Sequence, residues 1–132
     1  RVQNSAARIV SGCKRYEHIM PVLKKLHWLP IKQRIHYKLC LMVFKCLIGE
    51  APAYLCSMIR PYEPSRFLRS SVGNLVQPKV ARTKTYGDRA FSVAAPKLWN
   101  GLPDDLRRCD DIDSFKSELK THLFRIAFHS TA

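Results

Sequence analysis

The chain lacks most of what a catalyst or a membrane protein needs. No run of about 18 apolar residues occurs, so no segment reads as a membrane span; the longest apolar stretch is Leu39 to Phe44. Of five cysteines, Cys13, Cys40, Cys46, Cys56 and Cys109, none forms Cys-x-x-Cys, and none pairs with histidine at zinc-finger spacing. That excludes a conventional metal knuckle. An odd count without a framework points to a reducing compartment, with Cys40, Cys46 and Cys56 as small core residues. There is no Gly-rich phosphate loop and no internal repeat. Asp104-Asp105 follows Pro103 and reads as the start of a helical turn, not as carboxylates converging on an ion pair. Cys13 and His18 have no third group to orient them as nucleophile and base.

Acidic residues are also scarce. Ten Asp and Glu stand against 23 Lys and Arg, a net charge of +13 in 132 residues. That length allows one domain at most. A field of this sign draws polyanions: nucleic acid, an acidic membrane face or an acidic protein. The excess is uneven, with +9 in residues 1–60, +5 in 61–101 and −1 in 102–132. The basic footprint is therefore expected in the first three quarters, with the last helix bracing the fold.

The coarse reading is mostly α: a small helical domain of about five or six helices with a short two-stranded β ribbon. Val2, Ala6 and Ile9 lie at helical spacing, and Ser11-Gly12 stops them. Residues 1–12 are expected to be the end of an upstream helix, 13–128 a single accessory domain and 129–132 a frayed tail. Pro21 suits the start of a helix through 17–28. Trp28 after it is read as a core anchor in preference to a base-stacking platform, and His27 as a structural hydrogen-bonder. In residues 31–48, Ile31, Ile35, Leu39, Met42 and Cys46 step along one face, and further apolar residues surround most of the cylinder. This predicts a central core helix, ended by Gly49. Its stripe of Arg34, Lys38 and Lys45 either is solvated or tracks a phosphate backbone.

A Pro-initiated short helix is expected within 50–60 and a loop over 61–74. Arg66 and Arg69, beside serines, suit phosphate contact or the tying down of neighbouring helices. Val76 and Val80 flank Pro78, which restricts this run to an edge strand. Thr83, Thr85 and Tyr86 suit a second strand, and the ribbon would carry Lys79, Arg82 and Lys84 towards nucleic acid. Asp88 is a candidate N-cap for a helix over Arg89 to Ala94. Pro96 is expected to begin a separate turn through Asn100, bearing Lys97. Tyr86, Phe91 and Trp99 interleave with these cations as further structural anchors. Residues 111–128 make a last helix with Phe115, Leu119, Leu123 and Ile126 on its apolar face.

Several of these stretches have the spelling of one family. They are Gln3-Asn4-Ser5-Ala6-Ala7-Arg8, Leu26-His27-Trp28-Leu29-Pro30, Pro64-Ser65-Arg66, Leu68-Arg69-Ser70-Ser71, Lys84 to Ser92, Ala94-Ala95-Pro96, Leu98-Trp99-Asn100 and Ser114-Phe115-Lys116. Together they resemble the C-terminal region of the reverse-transcriptase polyproteins of LINE-type (non-LTR) retrotransposons, over about residues 3–128. The resemblance implies a segment that follows the polymerase thumb, with polymerase and endonuclease sites upstream and no cofactor or catalytic residue of its own. It further implies RNA, DNA and the thumb as partners, without membrane or small-molecule substrate, in the nucleus and cytoplasm. The expected function is electrostatic holding of template RNA or target DNA through Arg66, Arg69, Lys79, Arg82, Lys84, Arg89 and Lys97. The alternatives are a structural interaction module that docks on the thumb or another protein, and an inactive relic.

Overall fold

A computed structural model of the chain describes residues 1–66, 73–78, 83 and 85–129. Among these are seven α-helices: α1 Val2–Ser11, α2 Ile19–Lys25, α3 Ile31–Leu47, α4 Ala53–Cys56, α5 Phe91–Asn100, α6 Asp104–Arg107 and α7 Ile112–His129. A 3-10 turn, Gly87–Arg89, leads into α5. The mostly helical class stands.

The core forms where α3 packs on both α5 and α7. Phe115 of α7 is its hub. It stacks on Phe44 of α3 at 4.3 Å between ring centroids and meets Trp99 of α5 at 5.8 Å. Val43, Ala95, Leu119 and Leu123 complete the apolar centre. Offset and tilted ring pairs of this kind add to the large area that aromatics bury.

On α3, the buried stripe differs from the expected one. Cys40, Val43 and Phe44 are buried, and Tyr37 and Leu41 pack against them. Ile31 and Ile35 are 52% and 54% exposed. The helix carries two apolar stripes, and the one bearing the aromatic rings turns inward because it removes more area from water.

Chain stops follow local chemistry. Gly12 and Gly49 adopt left-handed φ values of 68° and 78°. Around Gly49, the Glu50 amide donates to the Lys45 carbonyl at 2.8 Å and the Gly49 amide to Cys46 at 3.3 Å, the paired bonds of a Schellman stop. The same pattern ends α2, where the Trp28 amide donates to the Leu23 carbonyl at 2.9 Å and the His27 amide to Lys24 at 3.1 Å. There the left-handed residue is His27, at φ 54°. Trp28, expected in the core, is half-buried and lies outside the core cluster. Its position just past the stop aims it beside the helix end instead of inward.

At the start of α7, the Asp111 carboxylate accepts from the Ser114 amide at 2.8 Å. That bond holds the Asp111 carboxyl below its ordinary range. Pro103 precedes α6, with Asp104 and Asp105 in its first turn as expected.

Two expectations around α5 change. Asp88 makes no capping hydrogen bond and sits in the 3-10 turn. Pro96 lies inside one continuous helix. A proline there supplies no N–H to the Ser92 carbonyl, but its ring is fully buried, and that burial offsets the missing bond.

The ribbon expected over 75–86 is not formed among the described residues, which contain no strand; Lys79 to Arg82 and Lys84 lie outside them. Leu75 makes an isolated antiparallel bridge with Pro61 instead. The Tyr62 amide donates to the Asn74 carbonyl at 2.9 Å and the Val76 amide to Arg60 at 2.8 Å. Two residues of α5 secure this segment. The Trp99 indole donates to the Gly73 carbonyl at 2.8 Å. The Asn100 amide both accepts from the Leu75 N–H and donates to the Leu75 carbonyl, each at 2.8 Å. Arg107 of α6 adds a bond to the Asn74 side chain.

At the other end of the chain, α1 lies on α2. Ala7 is buried there, and Gln3 donates to the Leu29 carbonyl at 2.7 Å. Among the described residues no helix is long and apolar enough to cross a membrane.

Trp99→Phe is expected to lower unfolding free energy by about 2–3 kcal/mol in urea denaturation, from a cavity plus an orphaned Gly73 carbonyl. A change within about 0.5 kcal/mol, the range of ordinary surface substitutions, would remove Trp99 from its central role. The buried Cys40 thiol is pushed up by desolvation from 9.0 to about 12. Its folded value is raised, so its contribution is fully present below 9.0 and lost as pH rises towards about 12. Denaturation midpoints of the wild type should therefore fall more steeply over that alkaline window than those of Cys40→Ala.

Candidate nucleic-acid interface

The expected contact residues do not gather into one described cluster. Arg66 is exposed in the segment after the Pro61 bridge, Arg89 is exposed in the 3-10 turn and Lys97 is exposed on α5. Arg69, Lys79, Arg82 and Lys84 lie outside the described residues. Of the expected anchors, Trp99 is fully buried and Phe91 packs against the core. Tyr86 is 82% exposed and anchors nothing. It precedes the 3-10 turn and α5, so it falls outside the helical packing that would cover its ring.

What the fold does bring together is a cleft between α3 and α7. One cavity of about 350 Å³ is lined by Leu29, Arg34, Tyr37, Lys38 and Lys120. A second, adjoining it between the end of α2 and α7, is about 380 Å³ and is lined by His27, Ser117, Lys120, Thr121 and Phe124. Lys120 belongs to both, and no carboxylate lines either. α3 sets Arg34 and Lys38 one turn apart. α7 brings Lys120 to them because its apolar face, Phe115, Leu119 and Leu123, is fixed in the core and Lys120 stands on the flank of that face.

Aromatic rings stand beside these cations. The His27 imidazole stacks on Phe124 at 5.5 Å with planes 19° apart, and Phe124 meets Phe128 at 4.5 Å. His27 is exposed and makes no side-chain hydrogen bond among the described residues, so the structural hydrogen-bonding role expected of it is replaced by ring stacking.

The surface field is little compensated. Among the described residues, two ion pairs form: Arg107 with Asp104, and Lys116 with Asp113 at 2.9 Å. Burial holds the His36 and His122 imidazoles below their ordinary range, and nearby Lys32 and Arg125 push the same way. Both effects favour the neutral imidazole. All five cysteines are free thiols, and the described residues hold no group of three or more metal-ligating side chains.

Reading the sequence by charge density missed Lys120, because residues 102–132 carry −1 overall. The available signal was spacing: Lys116 and Lys120 fall one turn apart on the flank of the apolar face.

No protein-family model, curated protein or solved structure matches the chain.

A surface with this much unpaired positive charge repels itself, and salt relieves the repulsion. The thermal midpoint is expected to rise by several degrees between about 10 and 300 mM sodium chloride, a range over which the Debye length falls from about 30 Å to well under 10 Å. A midpoint that falls over that range, by differential scanning fluorimetry, would mean attractive ion pairs dominate.

Proposed function

We propose that this chain is a non-catalytic segment that holds RNA or DNA by charge, within the C-terminal part of a LINE-type reverse-transcriptase polyprotein. The observation that carries the first half is electrostatic: a net +13 in which few cations are neutralised by carboxylates. Such a surface recognises the phosphate backbone with little reading of bases. The second half rests on the residue stretches that resemble that family. The finer contact set, Arg66, Arg69, Lys79, Arg82, Lys84, Arg89 and Lys97, belongs to the same proposal, as does a ribbon over 75–86.

A second reading has its own support. On α1, Val2 and Ile9 are 85% and 82% exposed, leaving an apolar stripe that suits protein docking. Under that reading the segment is an interaction module and nucleic-acid contact is incidental.

Fluorescence anisotropy with labelled RNA, single-stranded DNA and duplex separates the two. Holding by charge predicts affinity that falls with salt along a log–log slope of about −2 to −5, as three to six neutralised phosphates give. Charge reversal at Arg66, Arg89 and Lys97 should flatten that slope with the fold intact by circular dichroism. Salt-independent binding, or none, would discard the proposal in favour of the docking module.

A further inference from the structure

Cations line more than one concavity of the described surface: Arg8 and Arg15 border one beside α1. In the cleft between α3 and α7, Arg34, Lys38 and Lys120 border a single concavity that no carboxylate lines. Among the described residues, none of the three has an ion-pair partner. Beside them stands a planar platform, the exposed His27 ring lying on Phe124.

We propose that this cleft seats a single-stranded polynucleotide, with Arg34, Lys38 and Lys120 on its phosphates and the His27–Phe124 ring pair against a base. This rests on the polyanion reading above and goes further by naming the strand form and the place.

Three features support it. A row of cations along a groove follows a phosphodiester backbone, whereas a ring platform has use only for an unstacked base. A duplex keeps its base faces covered, so it gains the charge contacts and forgoes the rings. Each cavity, at about 350 and 380 Å³, is of small-ligand size and suited to a nucleotide unit.

The backbone at His27 points the same way. Its hydrogen bonds match those around Gly49, where glycine fits the left-handed geometry without strain. At φ 54°, histidine accepts strain that glycine would not. In exchange the stop carries a ring held over α7, at the mouth of the cavity that Lys120 also lines.

His27→Gly is the discriminating variant. Glycine relaxes the backbone there, so the thermal midpoint should equal or exceed that of the wild type. Binding of the full chain to a labelled uridine 20-mer should weaken about tenfold, as loss of one base–ring stack predicts, while binding to a hairpin duplex stays unchanged. Arg34→Gln with Lys120→Gln should weaken the 20-mer at least about tenfold and flatten its salt slope by about 1.4, two single-strand phosphate contacts.

Equal binding of the 20-mer by wild type and both variants would overturn the cleft as its seat and leave the general polyanion reading standing. Equal loss of single strand and duplex in His27→Gly would overturn the strand preference, as would competition by polyglutamate as strong as that by unlabelled 20-mer. A wild type that binds no polynucleotide would end both readings together.

Discussion

Trp99 must satisfy two demands with one side chain. Its ring face closes the aromatic cluster with Phe115 and Phe44, and its indole N–H must still reach the Gly73 carbonyl. The requirement sets the rotation of α5 about its own axis, since both contacts hold for only one orientation of the indole. Once α5 is set, Asn100 next to it meets the Leu75 backbone with both halves of its amide. One helix end thus orders the segment at 73–76, which has no sheet to belong to. The bonds replace the ladder partners that an isolated bridge leaves unmade.

The same packing arranges the charge. α3 and α7 are pressed together by Phe44, Phe115 and Leu119, and their outward flanks must then converge at an edge. Arg34 and Lys120 are far apart in sequence, and that edge is where they meet. Burial on one side of each helix produces concavity on the other, and like charges are tolerated there because the cleft stays open to water.

How much of this was legible varies with range. Helix stops at Gly12 and Gly49, the Asp-rich starts of α6 and α7, and three of the four residues read on the inward face of α7, Phe115, Leu119 and Leu123, are local matters of capping and period, and the structure has them as read; the fourth, Ile126, is 47% exposed. Which stripe of α3 turns inward was not legible, because Ile31 and Ile35 are as apolar as Val43 and only the partner helices choose between them. Pro96 suggested a break because proline rules describe exposed helices, whereas here burial of its ring decides. The ribbon's Lys79 to Arg82 and Lys84 lie outside the described residues; within them the Val76 backbone pairs with Arg60, a partner that the residue pattern within 75–86 does not announce. The cleft was hidden because net charge per segment says nothing about which lysines of different helices end side by side, and His27 because a left-handed histidine leaves no mark in composition.

Asn100 is followed by Gly101, the dipeptide in which an asparagine amide is most easily lost, through attack on its side-chain carbon by the next backbone nitrogen. That ring closure needs the side chain to swing freely. With its oxygen and nitrogen both fastened to Leu75 at 2.8 Å, the amide has no such freedom while the chain is folded. An aspartate in its place would still accept from Leu75 but could no longer donate, so the fold shields from chemical ageing the very group on which one of its own joints relies.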